Sequence, residues 1–230
     1  MRTKTGIFFT YFQGERLKDF PRVLTGILEK ENVSYYDAIY KSHDGLFYLK
    51  PLPKALLIKV HSPEMLESVK MTGDYESALY SAGRTIQASA EIRQRNIDNA
   101  FVFTAFGDHH AERNDYGGMC YFNDAALAIS ALKAEGVKRF AIVDTDCHHG
   151  DGTKDIFGSD KTVLHICFYH RDYSDDWNNV DVLIPQRTSD EEYLSKMRRD
   201  IIHRITSFQP SIFSGSSAMM LLRVSTETKA

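Results

Sequence analysis

Cysteine is scarce in this 230-residue chain: Cys120, Cys147 and Cys167 are an odd number, widely spaced, with no Cys-x-x-Cys pair. That excludes a disulfide framework and a structural zinc knuckle, and it makes a reducing cytoplasm the expected compartment. Long apolar runs are missing too. The stretch from Gly6 to Phe9 behind the basic N-terminus is too short for a signal peptide, and nothing approaches the roughly 18 apolar residues of a bilayer span. Neither sign of charge dominates: 28 Lys and Arg against 31 Asp and Glu give a net charge of −3. Pairs such as Lys138-Arg139 and Arg198-Arg199 do not amount to a basic block, so neither nucleic acid nor a membrane is an expected direct partner. Internal repeats, low-complexity segments and linkers are likewise absent.

What is present is a large core in the making. The hydrophobic content of 43%, with 14 Phe and 12 Tyr, suits one sizeable domain. Residues 55–60 read as a strand, followed by a helix start with Ser62 as cap and Pro63 at the first helical position. The spacing predicts a helix over 75–94, a strand over 99–104, and a helix over 125–134 capped by Asn123-Asp124 and ended by Gly136. Buried-type strands follow at 140–146 and 162–168, with a weaker one at 181–185. Another helix is expected over 190–208, with Ser189 as its cap. Strands alternating with helices predict an α/β fold with a mostly parallel sheet, in which sites form beyond the carboxyl ends of the strands.

Polar chemistry is concentrated in two segments. The first is Gly107-Asp108-His109-His110-Ala111, after the strand ending at Thr104. The second runs from Asp144 through Asp146, Cys147, His148, His149, Gly150, Asp151 and Gly152 to Thr153. Residues two apart share a face of a strand, so Asp144, Asp146 and His148 are expected to project together. Two carboxylates and an imidazole side by side are costly to bury unless a cation or hydrogen bonds balance them, and a divalent metal on Asp146 and His148 would do so. Gly150 and Gly152 suit a tight turn that lets Asp151 fold back. The bland alternative is a surface loop rich in Asp, His and Gly, and for His109-His110 taken alone a structural pair is equally open. A two-metal ureohydrolase would use Asp-x-His-x-Asp, whereas here the second carboxylate comes three residues after the histidine, which favours one metal. Cys147 reads as packed core, His165 and His170 as structural residues, and Gly117-Gly118-Met119-Cys120-Tyr121 as a close backbone approach followed by aromatic packing.

Taken in order and spacing, Gly107–Ala111, Gly118–Asn123 and Val143–Thr153 resemble the signature of the histone deacetylase superfamily, with acetylpolyamine amidohydrolase-like members the nearest in look. The resemblance spans about residues 5–213. It implies an arginase/deacetylase-like three-layer fold and zinc-dependent hydrolysis of an acetylated amine, either acetyl-lysine or an acetylpolyamine, with ferrous iron as the alternative ion. By the same resemblance Asp146 and His148 are two of three metal ligands, and His109 and His110 are the catalytic pair. Asp144 and Asp151 orient that pair, Asp144 on His109 and Asp151 on His110. Gly118 and Met119 form the wall of the substrate channel, Met119 standing where Phe is common. Asp144, Asp146, His148 and Cys167 lie where a structural potassium ion is placed in the family.

The departure is at the C-terminal end. In the family the third ligand is an Asp on a later strand, followed by a tyrosine that stabilises the oxyanion, yet residues 214–230 contain neither Asp nor Tyr. Met219-Met220 fixes ATGATG in the gene; read one base earlier it yields a His, Tyr, Asn or Asp codon and then Asp. The expectation is therefore a partial catalytic domain over 1–213 and a non-family tail over 214–230 produced by a one-base slip. The sheet should then be incomplete with an open apolar edge, and the chain inactive or nearly so. The competing expectation is a non-catalytic remnant that binds acetylated ligands or a partner protein.

Overall fold

Alternate residues of the strand Phe140–Asp144 enter two different hydrophobic cores: Phe140 and Ile142 pack on one side, Ala141 and Val143 on the other. A strand buried on both faces needs helices above and below it, which makes three layers. The computed structural model describes residues 3–10, 22–36, 40–42, 45–47, 52–171, 174–176, 178–216 and 219–223. The elements are β1 (Thr5–Phe9), β2 (Val33–Tyr36), β3 (Tyr40–Ser42), β4 (Gly45–Phe47), α1 (Lys54–Val60), α2 (Pro63–Lys70) and α3 (Tyr75–Arg93). Then follow β5 (Asn99–Phe103), α4 (Asp124–Ala134), β6 (Phe140–Asp144), α5 (Asp151–Phe157), β7 (Val163–Tyr169), β8 (Ser174–Asp176) and β9 (Asn179–Leu183). The last are α6 (Asp190–Met197), α7 (His203–Phe208), β10 (Ile212–Ser216) and β11 (Met219–Arg223).

One sheet of nine strands runs in the order β2-β1-β5-β11-β10-β6-β7-β9-β8, and β3 pairs with β4 separately. The pairings are parallel except where β11 meets β5 and β10 and where β8 meets β9. The larger core draws residues from α1 to α4 onto one face. On the other face, Tyr193, Met197, Ile201, Ile205 and Phe208 pack over β6, β7 and β9. This is the three-layer α/β arrangement expected from the sequence. No helix among the described residues is long and apolar enough to cross a membrane.

Three expectations change. Residues 55–60 are helical, not a strand: Leu57 and Val60, three apart, are the buried positions of α1, so the core uses the helical period. The helix expected over 190–208 begins at the capping box of Ser189 and Glu192, but Arg198–Ile202 is a π-helical stretch between α6 and α7. It ends at Gln209 in the left-handed region, just before Pro210. Near the C-terminus, the expected open edge is filled. β10 lies parallel to β6, and β11 turns back antiparallel between β10 and β5. Residues 217–218 and 224–230 of the expected tail lie outside the described residues.

A polar clamp ties the layer of helices to the loop after β5. His61, fully buried behind α1, has Nδ1 2.8 Å from the carbonyl of Glu112, and its Nε2 accepts the backbone N–H of Asn123 at 3.1 Å. That pattern requires the neutral ring with the proton on Nδ1, since a second ring proton would face an N–H. Asn123 in turn caps α4 through Ala126 N–H at 2.9 Å and donates to Thr153 Oγ1 at 3.1 Å. Burial lowers the pKa of His61 to about 4; the Glu112 bond pulls the other way and Arg113 adds to the lowering. The unfolded chain, with an ordinary value of 6.5, takes up a proton that the folded protein refuses. Stability is therefore full above pH 6.5 and is lost as pH falls toward 4, by up to about 1.4 kcal/mol per pH unit from this group. His61→Gln, which keeps a donor and an acceptor without a titration, is expected to flatten that part of the profile in denaturant melts at stepped pH. An unchanged slope would show that other groups control it.

Candidate active site

β6 ends on Asp144, whose side chain has no exposed surface. Two histidines from the loop after β5 close over it. His109 Nδ1 lies 2.7 Å from Asp144 Oδ2, and His110 Nδ1 lies 2.6 Å from Asp151 Oδ1. A carboxylate only accepts, so each Nδ1–H donates and each Nε2 is left for other work. The two rings are 4.1 Å apart, and His109 Nε2 stands 4.0 Å from Asp146 Oδ1. Burial works against a charge on His109, yet the Asp144 hydrogen bond and the nearby carboxylates of Asp108 and Asp146 outweigh it and raise its pKa. Asp151 opens α5 and also accepts the N–H of Gly152 at 2.9 Å.

Asp146 and His148 do not continue the strand, as the alternation had suggested. The strand stops at Asp144, and two successive side-chain turns carry the chain on: Asp146 N–H donates to Asp144 Oδ1 at 3.0 Å, and His148 N–H donates to Asp146 Oδ1 at 2.8 Å. This brings Asp146 Oδ1 and His148 Nδ1 to 2.9 Å, a hydrogen bond that would open by about 0.4 Å to form one edge of a tetrahedron built on zinc bonds of about 2.0–2.1 Å. Burial opposes ionisation of Asp146, but the hydrogen bonds from His148 and the charges of His109 and His148 win, and its pKa is lowered. Carboxylate and imidazole of this kind fit a zinc ion along that edge. Among the described residues, the further donor within reach is Cys147, with Sγ 3.5 Å from His148 Nδ1. Cys147 is exposed, not packed in the core, because the chain has left the strand before it is reached.

Gly118 and Met119 form the tip of a tight turn, closed by Cys120 N–H on the Gly117 carbonyl at 2.8 Å, with φ of 56° and 62°. Met119 is 67% exposed. The turn lies against His110: a Cβ on Gly118 would fall 2.6 Å from His110 Cδ2. Gly150 and Gly152 also turn out to be matters of close approach and not of turn geometry. A Cβ on Gly150 would lie 2.5 Å from Asp144 Oδ2, and one on Gly152 would meet the backbone of Ala111 at 2.5 Å.

Several polar residues near the site were not singled out from the sequence. Asp181, on β9, is held by His149 Nε2 at 3.0 Å and by Lys154 Nζ and Ser174 Oγ, each at 2.6 Å. Those bonds overcome its burial and keep its pKa well below the usual range. Asp124 is buried against Ser81 Oγ at 3.0 Å. Burial and the neighbouring Asp108 charge, against the weaker pull of Ser81, raise its pKa far above the ordinary value. Local pattern marks these residues poorly, since apart from Ser174 their partners lie 27 to 43 positions away. His165, expected to be structural, is buried on β7. His170 stacks its ring edge-on to Tyr169 at 4.8 Å.

Gly118→Ala is expected to lose about 1–2 kcal/mol from its left-handed backbone and to displace the His110 ring. Denaturant melts and imidazole nitrogen NMR would check both effects. Unmoved His110 signals would mean that the turn does not position the ring.

Residues 48–216 match the histone deacetylase domain. Along 93% of its length the chain is 26% identical to a probable deacetylase of Archaeoglobus fulgidus, of which it spans 68%. Over 50% of its length it is 34% identical to acetylpolyamine amidohydrolase 1 of Pseudomonas aeruginosa, and over 64% it is 30% identical to histone deacetylase 5 of Arabidopsis thaliana. It spans 33% and 26% of those two relatives. The crystal structure of the HDA15 HD domain superposes with a TM-score of 0.76 at 20% identity, over 94% of this chain and 73% of that one. With the domain match covering most of its length, the chain belongs to the histone deacetylase family.

Proposed function

We propose that this site is that of a zinc-dependent amidohydrolase that removes acetyl groups from acetylated amines, either acetyl-lysine or an acetylpolyamine. The observation that carries the reading is the pair of imidazoles 4.1 Å apart, each with Nδ1 on its own carboxylate, beside the Asp146–His148 edge. Asp146 and His148 would hold the ion, zinc before ferrous iron, whose contribution is Lewis-acid polarisation of the acetyl carbonyl. His109 and His110 present Nε2 toward the same space, suited to taking a proton from water and returning one to the leaving amine. Asp144 and Asp151 fix the tautomer and aim of each ring. The Gly118–Met119 turn would form one wall of the substrate channel, with a flexible thioether where an aromatic ring is usual. Three free cysteines suit work in the cytoplasm.

A second reading, a non-catalytic protein that binds acetylated ligands, is favoured by the strand beside β6. Register places Ser216 opposite Asp144, so the end of β10 beside β6 carries Ser214-Gly215-Ser216 and no carboxylate. A site with two of three strong donors holds zinc weakly, and we propose that the chain as given turns over poorly. We also keep the boundary near residue 213, with 214–230 foreign to the family; the domain match ends at 216.

The test measures zinc content and the release of acetate from an acetyl-lysine peptide and from acetylspermidine. Expected are sub-stoichiometric zinc, slow turnover, and a further fall of about 10²–10⁴-fold in His109→Ala. Ser216→Asp, which adds a carboxylate to the end of the strand beside β6, should raise both zinc content and rate. Turnover that survives both chelation and His109→Ala would overturn the hydrolase reading. Ligand binding with no turnover, even in Ser216→Asp, would establish the non-catalytic one.

A further inference from the structure

Asp74 stands at the cap position of α3, yet its side chain makes no capping hydrogen bond. An aspartate at a helix start ordinarily accepts one of the free N–H groups of the first turn. Here Oδ2 instead accepts the hydroxyl of Tyr121 at 2.7 Å, across 47 positions of sequence. Hydrogen bonds to an ionised acceptor are short and strong. That bond and, after it, burial raise the Tyr121 pKa, so the hydroxyl keeps the proton it donates. It ties the start of the 19-residue α3 to the chain just after the Gly118–Met119 turn.

The turn needs such an anchor. Gly118 and Met119 both have left-handed φ, and Met119 carries a side chain that this conformation disfavours. Strained residues persist where their surroundings over-determine them. Tyr116 and Tyr121 flank the Gly117–Cys120 pair with their rings 5.6 Å apart, and Tyr121 meets Phe106 edge-on at 4.8 Å. Ring contacts tolerate sliding; the bond to Asp74 is directional and sets where Tyr121 stops. On its other side the turn bears on His110, whose Cδ2 would lie 2.6 Å from a Cβ on Gly118. The backbone of the histidine loop is held separately, by Thr153 N–H on the His109 carbonyl and by His61 on the Glu112 carbonyl. Asp151, which holds Nδ1 of His110, has a side chain 52% exposed and can swing with the ring. What the turn adds is therefore the orientation of the ring and not the position of the loop.

We propose that Asp74 is a positioning residue for His110, acting through Tyr121 and the Gly118–Met119 turn. Its carboxylate fixes Tyr121, Tyr121 fixes the turn, and the turn stops the carbon edge of the imidazole. The inference deepens the amidohydrolase reading, in which His110 carries a proton, but the placement of the ring is measurable without it. A plain tether between α3 and the loop would cost stability on removal and leave the His110 ring where it is.

The test is imidazole nitrogen NMR on the full chain, with the His110 signals assigned by their loss in His110→Gln. His165, buried on β7 away from the turn, is the internal control. Asp74→Ala is expected to shift or double the His110 signals and leave those of His165 in place. Tyr121→Phe, which removes a single oxygen, should do the same, and the double variant should do no more than either alone. Asp74→Asn, which still offers Tyr121 an acceptor, should restore the parent spectrum. In acetate release, Asp74→Ala should lower kcat at least about tenfold while KM stays within about twofold. Unmoved His110 signals in both Asp74→Ala and Tyr121→Phe overturn the proposal. Signals of His110 and His165 that move together mark general loosening and overturn it as well. A displaced ring with unchanged turnover would uphold the positioning and count against the proton-carrying role instead. If Asp74→Ala fails to fold, Tyr121→Phe decides.

Discussion

A carboxyl group with no exposed surface sits at the end of the central strand, and the structure around it follows from the need to satisfy Asp144. An unpaired charge at that depth would cost several kcal/mol. Three features meet the need. His109 donates from Nδ1, the Asp146 N–H donates to the second oxygen, and Gly150 stands back by having no side chain. The first of these orients a histidine, the second bends the chain so that Asp146 and His148 come together, and the third lets the chain pass close to the carboxyl group on its way into α5, where Asp151 receives His110. Solving one electrostatic problem thus assembles the site.

The rest of the scaffold holds that solution in register. His109 and His110 sit on a loop, and loops move unless they are tied. This one is tied from both ends: Thr153 N–H bonds the His109 carbonyl, and His61 bonds the Glu112 carbonyl. Asn123 completes the tie, reaching from the start of α4 to Thr153 and to the backbone at Ala111. Asp124, beside Asn123 at the start of α4, is buried on Ser81, and burial raises its pKa. A polar network is tolerable at this depth because its members are satisfied by one another.

Much of this was legible in the sequence, and the failures have physical causes. Continuous apolar runs in residues 140–146 and 162–168, and the helical period of 75–94 and 125–134, report burial directly, and burial fixes these elements to within two residues. The pairs His109–Asp144 and His110–Asp151 came from the family resemblance alone, and the structure puts the same residues within hydrogen-bond distance. Residues 55–60 misled because six apolar-rich residues satisfy both periods, and only tertiary contact shows that Leu57 and Val60 are the ones buried. Cys147 misled because the strand was carried two residues too far. The alignment of Asp144, Cys167 and Asp181 across β6, β7 and β9 could not be read at all, since register between parallel strands depends on crossovers and leaves no local mark. His61 was invisible for the same reason: its two partners lie 51 and 62 residues away.

The segment after residue 211 separates what a fold demands from what a site demands. A sheet asks its next strand for backbone donors and acceptors at the right spacing, and β10 and β11 supply them between β6 and β5, one parallel and one antiparallel. Almost any sequence without proline can do that. A metal position asks for a particular atom at the end of a particular strand, and there the register presents Ser216 to Asp144's neighbourhood. Backbone pairing can therefore close the sheet around Asp144, His109 and His110 while leaving the donor count to side chains that the pairing does not choose. The fold is robust to this stretch of sequence, and the chemistry hangs on it.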